Sequence, residues 1–233
     1  VFAPWVDFEA LMRKDGIPLF SLESKTPISQ FDFLGFTLQY ELSYSNIINM
    51  LDLSNIPIFS KDRDNNHPFV IAGGPCAFNP EPLADIIDFF VIGEAEEAIL
   101  EVIGLYKNFK EKGGTRQEFL YKVAQIPGIY VPSLYNVSYN DDGTIKSILP
   151  IEDHIPQIIQ KRVIRDLDNV YYPINFIVPY MDIVHDRAVL EIFRGCTRGC
   201  RFCQAGMIYR PVREKSVERL EKLAKDIISS TGY

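Results

Sequence analysis

The chain has 233 residues, 47% of them hydrophobic and 24% charged, with a formal net charge of −7 and a mean hydropathy of −0.01. That length holds one large domain or two modest ones, and no apolar run approaches the roughly 18 residues of a membrane-spanning helix. The acidic balance speaks against a general nucleic-acid-binding surface. No signal-peptide pattern is evident, and few, clustered cysteines suit a reducing compartment, so the expected localisation is cytoplasmic with no membrane contact.

In chain order, the spacing of apolar residues predicts a helix over 4–14, with Trp5, Phe8 and Leu11 or Met12 on one face. A buried strand is predicted over 31–38 and a helix over 41–53, the latter turning Leu42, Ile47, and Met50 or Leu51 inward. A second strand over 68–72 runs into Gly73-Gly74-Pro75, followed by a short helix over 81–87. A third strand over 89–92 runs into Gly93-Glu94, and a long helix over 95–109 carries Ala98, Val102, Leu105 and Phe109 at helical spacing. Alternating strands and helices argue for a parallel sheet flanked by helices, with both glycine turns at one common edge.

Residues 115–185 read as a connector. It holds a helix over 117–125 and a hairpin, 134–139 with 144–149, turned by Asn140-Asp-Asp-Gly143. Six prolines (Pro127, Pro132, Pro150, Pro156, Pro173, Pro179) interrupt regular structure around them. Asp141 and Asp142 read as turn formers rather than metal ligands. Beyond the connector, 186–193 reads as a strand. Ser216 then caps a helix whose apolar face is Val217, Leu220, Leu223, Ala224, Ile227 and Ile228.

The chemistry lies between that strand and that helix, in Glu191-Ile-Phe-Arg-Gly-Cys-Thr-Arg-Gly-Cys-Arg-Phe-Cys-Gln-Ala-Gly206. Three of the four cysteines, Cys196, Cys200 and Cys203, fall within eight positions. Three thiolates on one loop can hold three irons of a four-iron cluster and leave the fourth iron open to a substrate or cofactor. Gly195 and Gly199 let the backbone wrap closely around a bulky ion. Arg194, Arg198 and Arg201 would lower thiolate pKa values and offset cluster charge. Structural zinc fits less well, because it usually takes four ligands in paired knuckles and no second pair exists. Disulfides would leave an odd thiol. Cys76, 120 residues before the motif, reads as a small buried hydrophobe. The basic excess of 161–215, ten Lys and Arg against six Asp and Glu, suits the surroundings of an anionic cluster better than an RNA-binding patch.

Cys-x3-Cys-x2-Cys with Phe202 before the last cysteine resembles the signature of the radical S-adenosylmethionine (SAM) enzymes. The resemblance implies a [4Fe-4S] cluster on Cys196, Cys200 and Cys203, with SAM chelated at the open iron and Phe202 near its adenine. It implies reductive cleavage of SAM to a 5′-deoxyadenosyl radical and a flavodoxin- or ferredoxin-type reductant protein. It leaves the catalytic residues and the substrate unknown, with RNA not excluded. It also implies a TIM-like barrel, of which 186–233 would be the first strand–helix unit, with 204–209 lining the site by position. The chain starts at Val1 and ends at Tyr233, about 30 residues after Cys203. A barrel takes on the order of 200 residues, so the expectation is an internal fragment, inactive alone.

Phe69-Val-Ile-Ala-Gly-Gly-Pro75, Asn79-Pro-Glu-Pro82 and Phe89-Phe-Val-Ile-Gly-Glu-Ala-Glu-Glu97 resemble the later half of a cobalamin-binding-type Rossmann domain. Such domains precede many radical SAM barrels, in an uncharacterised family of that class. The resemblance implies cobalamin at the strand ends marked by Gly73, Gly74 and Gly93. Those glycines would serve equally as plain strand–helix turns, and the Asp-x-His-x-x-Gly loop that supplies a cobalt ligand is absent. The organisation expected is therefore α/β. A partial Rossmann-like domain spans 1–114, the hairpin-containing connector 115–185 and the start of a radical SAM domain 186–233. Two alternatives remain: a non-catalytic iron–sulfur or electron-transfer module, and a cobalamin-binding module.

Overall fold

A computed structural model describes all 233 residues. They form two compact units, Val1–Arg162 and Val163–Tyr233. The residues expected as a connector, 115–185, are thus shared between the two.

The first unit is a mixed α/β, Rossmann-like layer. Its sheet runs β1 (Phe33–Thr37), β2 (Phe69–Gly73), β3 (Phe89–Val91), β4 (Ile129–Tyr130), in that spatial order. The first three strands are parallel, and β4 closes the edge antiparallel to β3. β2 and β3 are buried along their apolar lengths, as expected of strands covered on both faces. β4 went unpredicted because two residues carry no periodicity to read.

The helices are α1 (Val6–Asp15), α2 (Tyr44–Leu53), α3 (Ala98–Lys112) and α4 (Arg116–Val123). Thr115 and Glu118 form a reciprocal capping box that starts α4. Only Met12 of the expected α1 face is buried, whereas Trp5 is 79% exposed and Phe8 and Leu11 also face out. The helix is moored instead by Arg13, which bonds Asp52 at 2.8 Å and Asn49 at 2.8 Å. The expected helix over 41–53 begins with a 3-10 turn, Glu41–Ser43, which swings Leu42 outward while Ile47, Met50 and Leu51 stay buried. The short helix over 81–87 contracts to a 3-10 turn, Glu81–Leu83, that follows Pro80 and contains Pro82; Pro82 has no N–H to donate to a longer helical ladder.

An aromatic cluster fills the core. Phe69 and Phe119 have ring centroids 4.7 Å apart, and Phe33, Phe89 and Tyr106 pack around them. Burying each large apolar side chain contributes roughly 1.5–3 kcal/mol. Beneath this cluster lies a charged group that sequence patterning did not reveal. Asp88 (3% exposed) accepts from Arg63 Nη1 at 2.9 Å, Arg116 Nη2 at 2.6 Å and the Val70 amide at 2.7 Å, all on Oδ2. The guanidiniums also donate to Pro57, Ile58, His67 and Pro68 carbonyls, so both cations are paired as burial demands, with Arg116 Nε left without an acceptor.

The predicted hairpin forms as β5 (Tyr135–Tyr139) and β6 (Ile145–Pro150). The Asn140 amide donates to Thr144 O at 2.8 Å, with Gly143 at φ 82°.

The second unit contains β7 (Phe193–Arg194), α5 (Ala205–Ile208), β8 (Arg213–Glu214) and α6 (Val217–Thr231). The strand expected over 186–193 reduces to β7, paired only with the equally short β8. A strand becomes regular only where a ladder holds it, and two-stranded pairs are marginal. Ser216 caps α6 as predicted, accepting from the Arg219 amide at 3.1 Å. Leu223 and Ile227 are its buried residues, while Val217 and Ile228 of the predicted face are exposed.

Candidate metal centre

β7 and β8 set the base of the cysteine loop. Phe193 pairs with Glu214 and Arg194 with Arg213, and the Lys215 amide donates to Ile192 O at 3.0 Å. Gly195 follows at φ 92°, and a Cβ there would sit 2.5 Å from Pro211 O and 2.8 Å from Tyr209 O. No other residue lets segment 209–211 close against the loop this tightly while holding positive φ.

From this pinned start the three cysteines emerge unpaired. Cys196 and Cys203 are half-buried and Cys200 is exposed. The Arg198 amide donates to Cys196 Sγ at 3.4 Å, and the Cys203 amide to Cys200 O at 3.1 Å. No three His, Cys, Asp or Glu side chains are gathered as a metal-binding group. The fit to an iron–sulfur cluster therefore rests on the donors themselves: three free thiols on one loop of eight residues, of the soft-ligand type such clusters take. Phe202 is 92% exposed, so its ring has a free face.

A polar brace supports the loop from below. Glu191 accepts from Arg194 Nε at 2.8 Å and Nη2 at 3.1 Å, and from Lys215 Nζ at 2.8 Å. The Lys215 side chain is fully buried and its Nζ lies 5.1 Å from the centre of the Tyr172 ring. Tyr172 Oη accepts from the Glu191 amide at 3.0 Å. Burial pushes the Glu191 carboxyl up, but hydrogen bonds and charge from Arg194 and Lys215 outweigh it and hold the group below the usual range. Sequence inspection missed this brace. Glu191 and Lys215 are 24 residues apart, and their only signal is that they flank the motif with opposite charge.

The structure places Gly73, Gly74 and Gly93 at one carboxyl edge of the sheet, as expected of turns after parallel strands: Gly73 pairs with Val91, and Gly93 follows two residues on. The space beside Gly74 and Gly93 is taken by the chain's own backbone. A Cβ on Gly93 would meet Arg162 O at 2.2 Å, and one on Gly74 would meet Leu38 O at 3.0 Å. Arg162 is fixed there by Glu97 at 3.0 Å and Glu101 at 2.5 Å. Cys76 is buried in the core, and burial pushes its thiol pKa up. His67 pairs with Asp64 and His154 stacks on Tyr121, far apart in role from any shared ligand set.

The family described as radical SAM proteins, N-terminal, matches residues 1–132, more than half of the chain. The chain belongs to the radical SAM proteins. The matched span covers the four-stranded sheet and ends before the cysteine loop. The chain is also similar to the uncharacterized protein MJ0966 of Methanocaldococcus jannaschii, 30% identical over 219 residues. That alignment covers 92% of this chain and 39% of the relative. No helix is long and apolar enough to cross a membrane.

Proposed function

We propose that the radical SAM polypeptide containing this chain is an enzyme that holds a [4Fe-4S] cluster through Cys196, Cys200 and Cys203 and reductively cleaves SAM, with electrons from a flavodoxin- or ferredoxin-type protein. The observation that carries this reading is the coincidence of a radical SAM N-terminal layer with three free thiols at Cys-x3-Cys-x2-Cys spacing. When bound, the cluster would supply the electron that breaks the SAM sulfonium bond.

The chain's own part is to bind, orient and shield. Gly195 fixes where the loop leaves β7. The Glu191–Lys215–Arg194 brace holds that strand end. The Arg198 amide already points at Cys196 Sγ, the type of backbone donor that tunes cluster potential. Arg198 and Arg201 would offset thiolate charge, and the free face of Phe202 would stack on the adenine. In this reading the segment from 186 begins the SAM-cleaving domain. Backbone packing accounts for Gly74 and Gly93, so cobalamin is not part of the proposal.

The test is anaerobic reconstitution of the full-length protein with iron and sulfide, followed by iron quantitation, visible absorbance and 5′-deoxyadenosine release. One four-iron cluster is expected. Cys196→Ala, Cys200→Ala and Cys203→Ala should each lose it, and Cys76→Ala should keep it. Stoichiometric zinc with no iron–sulfur absorbance would overturn the reading.

A further inference from the structure

Two cavities, of about 350 and 560 Å3, adjoin in the first unit, and Glu81, Tyr130 and Tyr135 line both. Neither includes a residue of the cysteine loop. The larger lies beside Ile92, just past the end of β3, and beside Asn79-Pro80-Glu81, the stretch that follows β2, whereas the smaller reaches Ala84 and Asp85, which precede β3. The region beyond the carboxyl ends of parallel strands is where open α/β sheets bind ligands.

The opposite wall is the β5–β6 hairpin. Side chains alternate across a strand, and the pairing of Val137 with Ile148 and of Tyr139 with Ile145 makes one apolar face of the hairpin. That face lines the two cavities instead of being closed over by other side chains: Tyr139, Ile145 and Ile148 remain 57%, 46% and 38% exposed. Tyr135 spans the junction, its ring centroid 5.0 Å from that of Tyr130, with its hydroxyl tied to Pro156 O at 2.6 Å. The rings at the junction are thus fixed in place.

The polar group at the junction is Glu81. Its Oε1 accepts from the Tyr130 hydroxyl at 2.7 Å, and Oε2 has no partner within the protein. A carboxylate oriented by one hydrogen bond, with a second oxygen free between aromatic walls, selects a flat ligand that brings N–H donors. A lysine also lines each cavity, Lys61 the smaller and Lys161 the larger, so the carboxylate sets the preference at the junction it occupies and not along the whole groove. We infer that this groove binds a small aromatic or heteroaromatic molecule with an N–H-rich edge, of the amidine, guanidine or amino-heterocycle class, its edge on Glu81 and its ring against Tyr135 and the rest of the hairpin's apolar face. The volumes match those of pockets for small molecules. The inference goes beyond SAM cleavage and is independent of it, since no cluster ligand takes part.

Benzamidine is the minimal probe of that chemistry, and benzoate is its anionic counterpart of nearly the same shape. Calorimetric titration of the full-length protein should give saturable binding of benzamidine and clearly weaker binding of benzoate, whose charge only Lys61 and Lys161 could meet. Glu81→Gln keeps an acceptor for Tyr130 but removes the charge, and should weaken benzamidine about tenfold, the loss of one charge-assisted hydrogen bond. Ile148→Trp, on an exposed strand position, should fill the larger cavity and weaken binding similarly, with the circular dichroism spectrum unchanged. Absence of saturable benzamidine binding, equal binding of the two probes, or unchanged affinity in Glu81→Gln would each overturn the inference.

Discussion

Replacing Asp88 by Ala should be the most damaging single change in the α/β unit. One carboxylate oxygen, Oδ2, receives three donors: Arg63 Nη1, Arg116 Nη2 and the Val70 amide. Both arginines are themselves buried, at 6% and 8% exposure. Burial pulls the Arg63 pKa down, and Asp88 works against that shift. Arg116 also lies over Phe69, its guanidinium carbon 4.0 Å from the ring centre, so it cannot swing out without opening the aromatic core. Without Asp88, two interior cations lose their salt-bridge partner and the Val70 amide loses its acceptor. Breaking a buried ion pair in this way costs about 3–5 kcal/mol, against a total stability of roughly 5–15 kcal/mol for a domain. For a chain of this size that corresponds to a melting temperature lower by roughly 6–20 °C. Asp88→Asn, which keeps an oxygen but not the charge, should fall between Ala and wild type. Because the chain has two units, a global melt mixes their transitions. Native-state hydrogen exchange of peptides spanning β2 and β3 reads the affected layer directly, and their protection should drop by the same free energy. A loss below about 1 kcal/mol at those amides, the size of an ordinary substitution, would refute the claim that the layer depends on this ion group.

Three further outcomes follow from particular contacts. Gly195→Ala would set a Cβ 2.5 Å from Pro211 O at positive φ, so the reconstituted full-length protein should lose iron–sulfur absorbance while β2 and β3 keep their exchange protection. Glu191 has a folded-state pKa below its ordinary value, so the stability it lends to β7 and β8 is present above its unfolded pKa, about 4.3, and lost as pH falls through the folded pKa. Exchange at the Lys215 amide should accelerate in that acidic window in wild type, and Glu191→Gln should flatten the dependence. Thr115→Ala removes half of a capping box and should destabilise α4 by about 1 kcal/mol, read by urea unfolding of the same unit; no change would mean that tertiary packing alone starts this helix.

Much was settled by the order of residues alone. Runs such as 69–72 and 89–91 are apolar on both faces, and such runs become strands only in a sheet covered on both sides. The Asn140-Asp-Asp-Gly143 turn set the hairpin because positive φ at Gly143 is a local property. The three cysteines and their glycines were legible for the same reason: a Cys-x3-Cys-x2-Cys spacing on one loop is written in consecutive residues. What tertiary structure alone decided were relations between residues distant in sequence. Nothing in the sequence around Asp88 announces that it will lie between Arg63 and Arg116, 25 and 28 positions away. Leu42 and Ile47 carry similar apolar signals, yet one is exposed and the other buried, because a 3-10 turn rotates the first off the face. Gly93 announces a turn but not that Arg162 backbone fills the space beside it. The strand over 186–193 had the right residues and stayed largely irregular, because a ladder needs a neighbour as well as a propensity. Local signals fix what backbone geometry a residue prefers; only the fold determines which distant groups it meets and so which charges, cavities and close approaches result.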